Sequence, residues 1–183
     1  MAGEDVADLR RRIEALEGRR TLQVERIDVV EPDGTVRLVL SNTARAPDPV
    51  VDGVTFKRDD GNAAGLIFYN ADGDECGGLV FENRGAALLF DQFKQDQLLG
   101  LMYDEAPGRR RAGLYVWDRT DEPFPAVGGA VPMFAGRRPD GMAAVELHDD
   151  EGRVRLRLGV TAPGAALVEF LDEGGAVTAC FPA

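Results

Sequence analysis

From Leu22 onward the chain consists of short apolar runs, several alternating apolar with polar residues, broken by Pro, Asp and Gly. In TLQVERIDVVEPDGTVRLVLSN, β-branched residues flank Pro32-Asp33-Gly34, and past that turn Val36, Leu38 and Leu40 alternate with Arg37 and Val39. A period of two is what a half-buried strand requires, so this stretch predicts a hairpin. Leu66 to Phe81, LIFYNADGDECGGLVF, predicts a second: two apolar runs joined by Asn70-Ala71-Asp72-Gly73-Asp74, where Gly73 can take a positive φ without a Cβ clash. Ala86 to Phe90, Leu98 to Tyr103 and Gly113 to Arg119 read as further strands. Two last hairpins run from Val145 to Val160 around Asp149-Asp150-Glu151-Gly152 and from Leu167 to Phe181 around Asp172-Glu173-Gly174-Gly175. The expected fold is mainly β, with at least four antiparallel hairpins forming a sandwich or barrel over residues 22–183 as a single domain.

The turn chemistry recurs: Asp33-Gly34-Thr35-Val36-Arg37-Leu38 matches Glu151-Gly152-Arg153-Val154-Arg155-Leu156, with a weaker copy at Glu173-Gly174-Gly175-Ala176-Val177. The spacing of these copies is irregular, which argues for several hairpins with one turn chemistry rather than a solenoid of fixed period. Residues 41–62 predict a long surface connection with one edge strand at Val54 to Phe56, and the Pro- and Gly-rich stretch 120–142 predicts a lapse of regular structure. DQFKQDQ, Asp91 to Gln97, fits an extended connector or a helical turn.

Ahead of the β domain lies a different period. In DVADLRRRIEALEGRR, Val6, Leu9, Ile13 and Leu16 recur at three, four and three residues, an a/d stripe on a short N-terminal α-helix within an arm of residues 1–21. Arg12 then falls at g and Glu17 at the next e, the pairing that bridges chains in a parallel coiled coil. An isolated helix of this length is marginal in water, so the stripe packs either on its own β domain or on the helix of another copy.

Charge removes some partners. The 183 residues carry 21 Lys and Arg against 32 Asp and Glu, a net charge of -11 that repels phosphate backbones, so no nucleic-acid partner is expected. No apolar run approaches the ~20 residues of a membrane span, and the N-terminus lacks the apolar core of a secretory signal. The expectation is a cytoplasmic protein with no membrane partner. Cys76 and Cys180 read as buried free thiols.

Candidate chemistry concentrates in the central hairpin. Asn70, Asp72 and Asp74 reproduce the first three ligand positions of a calcium loop, but Glu75 stands where Gly is needed and Phe81 where the bidentate Glu is needed. An EF-hand is thereby excluded, and what remains is a looser oxygen site for calcium or magnesium. Asp74, Glu75, Asp91, Gln92 and Gln95 together offer the carboxylate and amide mixture that reads sugars and polyols. No catalytic set emerges. The single histidine, His148, reads as an exposed strand-end residue, and neither a zinc ligand set nor a phosphate-binding Gly loop occurs. Trp117, the single Trp, reads as core.

The blocks ERIDVVEPDGT, FYNADGDECGGLVF, FDQFKQDQ and GLYVWDR, from Glu25 to about Asp121, resemble in content and order a family of small uncharacterised bacterial proteins. The resemblance implies a bacterial, β-rich protein and brings no activity or ligand. The leading expectation is a non-enzymatic, self-associating protein with a binding or scaffolding role and a homo-oligomeric state. The alternatives are a small-molecule or carbohydrate binding module using the acidic hairpin and DQFKQDQ, and a carboxylate-dependent hydrolase.

Overall fold

A computed structural model describes residues 2–18, 21–57, 63–108, 110–119, 124 and 130–182; Arg109 and the stretches 58–62, 120–123 and 125–129, on which some of these expectations fall, lie outside the described residues. Helix α1 spans Ala2–Glu17. The strands are β1 (Arg26–Val30), β2 (Val36–Ser41), β3 (Val50–Val51), β4 (Val54–Thr55), β5 (Ala64–Tyr69), β6 (Glu75–Phe81) and β7 (Gly85–Asp91). They continue with β8 (Gln97–Asp104), β9 (Arg111–Val116), β10 (Met133–Arg137), β11 (Ala143–His148), β12 (Val154–Val160), β13 (Ala166–Leu171) and β14 (Val177–Phe181).

One turn dictates the topology. After β1, the Glu31 N–H donates to the Thr35 carbonyl at 2.8 Å and the Gly34 N–H to the Glu31 carbonyl at 2.9 Å, with Gly34 at φ +94°. The same two bonds, with glycine again fourth at positive φ, close 70–74, 138–142, 149–153, 161–165 and 172–176. A polar side chain reinforces several of them, as where Asp172 Oδ1 accepts from the Gly174 and Ala176 N–H groups. Because such turns join neighbours in sequence, the strands pair antiparallel in chain order. The result is one twelve-stranded sheet, β1-β2-β5-β6-β7-β8-β9-β10-β11-β12-β13-β14, with β3 and β4 as a separate two-stranded ribbon.

The hairpins expected from the sequence are therefore present, and they join into a single open sheet. Four details differ from expectation. Gly141, Gly152, Gly164 and Gly175 fall 11, 12 and 11 residues apart, so the last strands do keep a nearly fixed period, masked upstream by longer connections. Residues 41–57 form a two-stranded hairpin rather than a lone edge strand. Strand β10 lies inside the stretch where regular structure was expected to lapse, because Met133 to Arg137 has partners on both sides. In DQFKQDQ the strands run through Asp91 and resume at Gln97, leaving a tight turn closed by the Gln92 N–H to the Asp96 carbonyl (3.0 Å), with Lys94 at φ +59°.

The described parts of the two long connections meet over one face. The chain leaves β2 at one long side of the ribbon and brings the Asp52-Gly53 tip of the β3–β4 hairpin to the other, where Gly53 N–H donates to Asp74 Oδ1 at 2.8 Å. Lys94 and Asp52 form an ion pair beside it. Phe56 of this connection meets Phe124 of the β9–β10 connection edge-on, ring centres 4.6 Å apart. Beneath them Val39 is 0% exposed and Ile67 and Tyr69 are buried, whereas Leu40, the next residue on the opposite face, is 41% exposed. That contrast defines a covered face and a bare one. On α1, Val6, Leu9 and Ile13 stay about half exposed, so the helical stripe finds no cover on its own sheet; the Leu16 side chain lies outside those described. No helix among the described residues is long and apolar enough to cross a membrane.

Gly77 shows how tightly adjacent strands meet. It holds φ +133°, and a Cβ there would lie 2.2 Å from the Leu89 carbonyl oxygen. Gly77→Ala is expected to lower unfolding stability by about 2–3 kcal/mol in urea titrations. Gly152→Asn, at φ +76° with only the Ala130 Cβ nearby, is expected to lower it by less than about 1 kcal/mol.

Candidate functional site

Three regions carry candidate chemistry: the acidic corner read from the sequence, a cavity on the covered face, and the bare face. At the corner the two turns 70–74 and 92–96 lie on the same long side and bring Asp74, Glu75, Asp91, Gln92 and Gln95 together. The β3–β4 tip then fills the space between them. Asp74 is 3% exposed and Gln92 and Gln95 are buried. Asn70 Oδ1 accepts from the Asp72 and Asp74 N–H groups at 2.9 and 3.0 Å, which makes it the staple of its own turn. The three proposed metal ligands thus divide: Asn70 holds the turn, Asp74 holds the strap, and Asp72 faces solvent. Among the described residues no group of three or more His, Cys, Asp or Glu side chains is arranged to hold a metal ion.

Cys76 neighbours Asp91 across β6 and β7. Burial, then the nearby Asp91 and Glu75 carboxylates, push its thiol above the ordinary value against a smaller opposing pull from Arg37. A thiol so placed stays protonated at neutral pH and is a poor nucleophile.

On the covered face, β8 to β11 line a cavity of about 520 Å³ that includes Tyr115, Trp117, Phe134, Arg138, Glu146 and His148. This lies in the range of small-ligand pockets. Trp117 stacks on Tyr115 with ring centres 5.7 Å apart, so it is a cavity wall as well as packing. The buried Glu146 carboxylate accepts from Arg138 Nη1 and, at 2.7 Å, from Arg157 Nε, and Arg157 Nη1 donates to Glu169 at 2.8 Å. Burial acts to lower the Arg157 pKa, but its bonds to Glu146 and Glu169 outweigh this and hold it above the ordinary value. His148 is not the exposed residue expected: its side chain is 14% exposed, and its Nε2, 4.0 Å from Glu146 Oε2, is buried without a hydrogen-bond partner. No motif in the sequence marks this cavity, because its walls come from four strands and the connections between them and form only once the strands pair.

The bare face is different in kind. Strand register places Ile27, Leu40, Leu66, Leu79, Leu88, Leu101, Leu114, Ala135, Val145, Leu158, Val168 and Phe181 in one continuous row, one residue from each of the twelve strands. Beside it a second row crosses the same strands from Val29, Leu38 and Phe68 through Phe90, Leu99 and Val116 to Leu156, Phe170 and Ala179, with Gly77 its one non-apolar member. Neither contains a polar or charged side chain. A third, shorter row from Ala64 to Ala166 holds one charge, Arg137. Yet Leu101 is 59% exposed and Phe181 62%, and Phe81, Phe90, Leu147 and Leu158 are also exposed. The sequence held this signal in the apolar positions two apart along each strand, but not the fact that all of them face one way.

No protein-family model matches the chain, and no curated protein is similar to it.

Asp74 and Asp72 separate structural from solvent-facing roles at the corner. Asp74→Ala leaves the Gly53 N–H without its acceptor and is expected to cost about 1–3 kcal/mol of stability in denaturant titrations. Asp72→Ala is expected to change stability by less than about 0.5 kcal/mol. Equal effects at the two positions would contradict this division.

Proposed function

We propose that this chain is a non-enzymatic, self-associating β protein with a scaffolding role, in which copies cover each other's apolar sheet face. The supporting observation is the pair of rows, free of polar and charged side chains, that crosses all twelve strands. Soluble monomers rarely leave contiguous apolar patches larger than a few hundred Å² in water. The polar chemistry on the other face is tied up in ion pairs and turn bonds, which is the pattern of structural rather than catalytic carboxylates. The rows do not suit a bilayer either: strands of five to eight residues fall short of the ~9–11 that cross one. Leu101→Asp with Leu158→Asp is expected to bring the light-scattering mass down to one chain with the far-ultraviolet β signal retained. A native chain of single-chain mass at every concentration would overturn the reading.

A second reading, ligand binding, rests on the aromatic cavity with its unpartnered His148 Nε2. It moves the binding module from the acidic corner to the covered face of β8 to β11. Trp117 is the one Trp in the chain, so occupancy is expected to shift its fluorescence. Screening small planar heterocycles that carry a hydrogen-bond donor is expected to find compounds that shift the emission of the native protein and not of His148→Phe. A screen with no such compound removes this reading.

A further inference from the structure

Self-association leaves open how the copies face each other. Resting on the self-association reading, we infer that two copies pair through their bare faces in parallel, with the β1 ends together and the two α1 helices wound as a coiled coil beyond that end. Three observations converge on this arrangement.

The first is size. Twelve strands at about 4.8 Å spacing make a ribbon roughly 53 Å long, and strands of five to eight residues at about 3.4 Å per residue make it roughly 20 Å wide. Each copy therefore offers on the order of 1,000 Å², and two together reach the ~1,600 Å² of a standard specific interface. Two such faces, stacked about 10 Å apart, complete a β-sandwich from two chains where one chain supplies only half. The second is the helix. Val6 and Ile13 are β-branched residues at a, and Leu9 and Leu16 occupy d; this combination favours two parallel strands. The third is connectivity. The helix precedes β1, which is the terminal strand of the sheet, so parallel helices require the two β1 ends to coincide. A two-fold axis running along the ribbon satisfies all three at once. It brings each central-row residue near its own copy, and it leaves Arg137, the one charged residue of the three rows, in the row along the margin, where solvent reaches it.

The test uses the full chain with Cys76→Ala and Cys180→Ala. Light scattering is expected to give a mass of two chains. Leu9→Cys is expected to form a disulfide-linked pair on mild oxidation, and Leu79→Cys a linked pair with a short bis-maleimide. In the reversed arrangement Leu79, in the fourth strand of the sheet, would instead face Val145, in the ninth, so cross-linking only in a mixture of Leu79→Cys with Val145→Cys would overturn the parallel geometry while leaving self-association standing. A mass of three chains would overturn the two-chain sandwich in the same way. A one-chain mass would overturn both this arrangement and the reading beneath it. One-chain protein that floats with phosphatidylcholine vesicles would replace the second copy with a lipid surface.

Discussion

A single-layer sheet has two faces, and the described connections of this chain meet over only one of them. Every strand alternates, so apolar residues placed two apart point the same way, and antiparallel pairing in register carries that direction across the sheet. Once Leu40 faces away from Val39, the register fixes Leu66, Leu79, Leu88 and the rest of the row on the bare side. The described parts of the connections before β5 and before β10 meet on the opposite side, where Phe56 packs on Phe124. There Val39, Ile67 and Tyr69 form a buried cluster, and further along the same face charged side chains replace apolar ones. Glu146, Arg157 and Glu169 stand directly opposite each other on β11, β12 and β13. Their ion pairs satisfy that surface without covering segments. Among the described residues the two main rows of the bare face hold no such ion pairs, and Phe, Leu and Val side chains stand exposed there.

The distinction matters because the two faces solve different physical problems. Removing one partner from the Glu146–Arg157–Glu169 chain strands a charge at a partly buried position, which costs more than the intact pairs contribute. The charged face is therefore specific but adds little net stability. The apolar face is the reverse: its contribution grows with area removed from water and is indifferent to detail until packing is tight. In the two-layer association proposed above, the stabilising term lies between chains and the specifying term within each chain.

Much of this architecture was legible in the sequence. The recurring Asp/Glu-Gly turn and the alternation of Val36, Leu38 and Leu40 announce antiparallel hairpins, and the a/d stripe of α1 announces a helix needing a partner. What the sequence could not convey is relative orientation. Whether hairpins close into a barrel or continue as one open sheet depends on where the long connections go, and residues 42–57 gave no local sign that they would cross the sheet to meet Asp74 and Lys94. The bonding of the acidic corner was hidden for the same reason. Asp74 and Asn70 look like ligands when only their own turn is considered, but their oxygens accept from the backbone of the strap and the turn. His148 was read as exposed because a strand-end position looks open in sequence, whereas the fold sets it in the wall of the cavity it shares with Phe134 and Arg138.

An open sheet also has two edges, and their chemistry bears on how association stays finite. An unprotected edge strand pairs with another and propagates, giving fibres rather than closed assemblies. At one end, β1 carries Arg26 and Asp28 on the same face as Val39, joined to each other by a bond of 2.6 Å, so one side of the edge strand is charged. At the other, β14 runs only five residues from Val177 and is followed at once by Pro182, which lacks the N–H that an added strand would use. Face-to-face packing uses none of these edge groups. Association through the apolar face, as proposed above, leaves both edges out of the contact, and a face, unlike an edge, is satisfied by a limited number of copies.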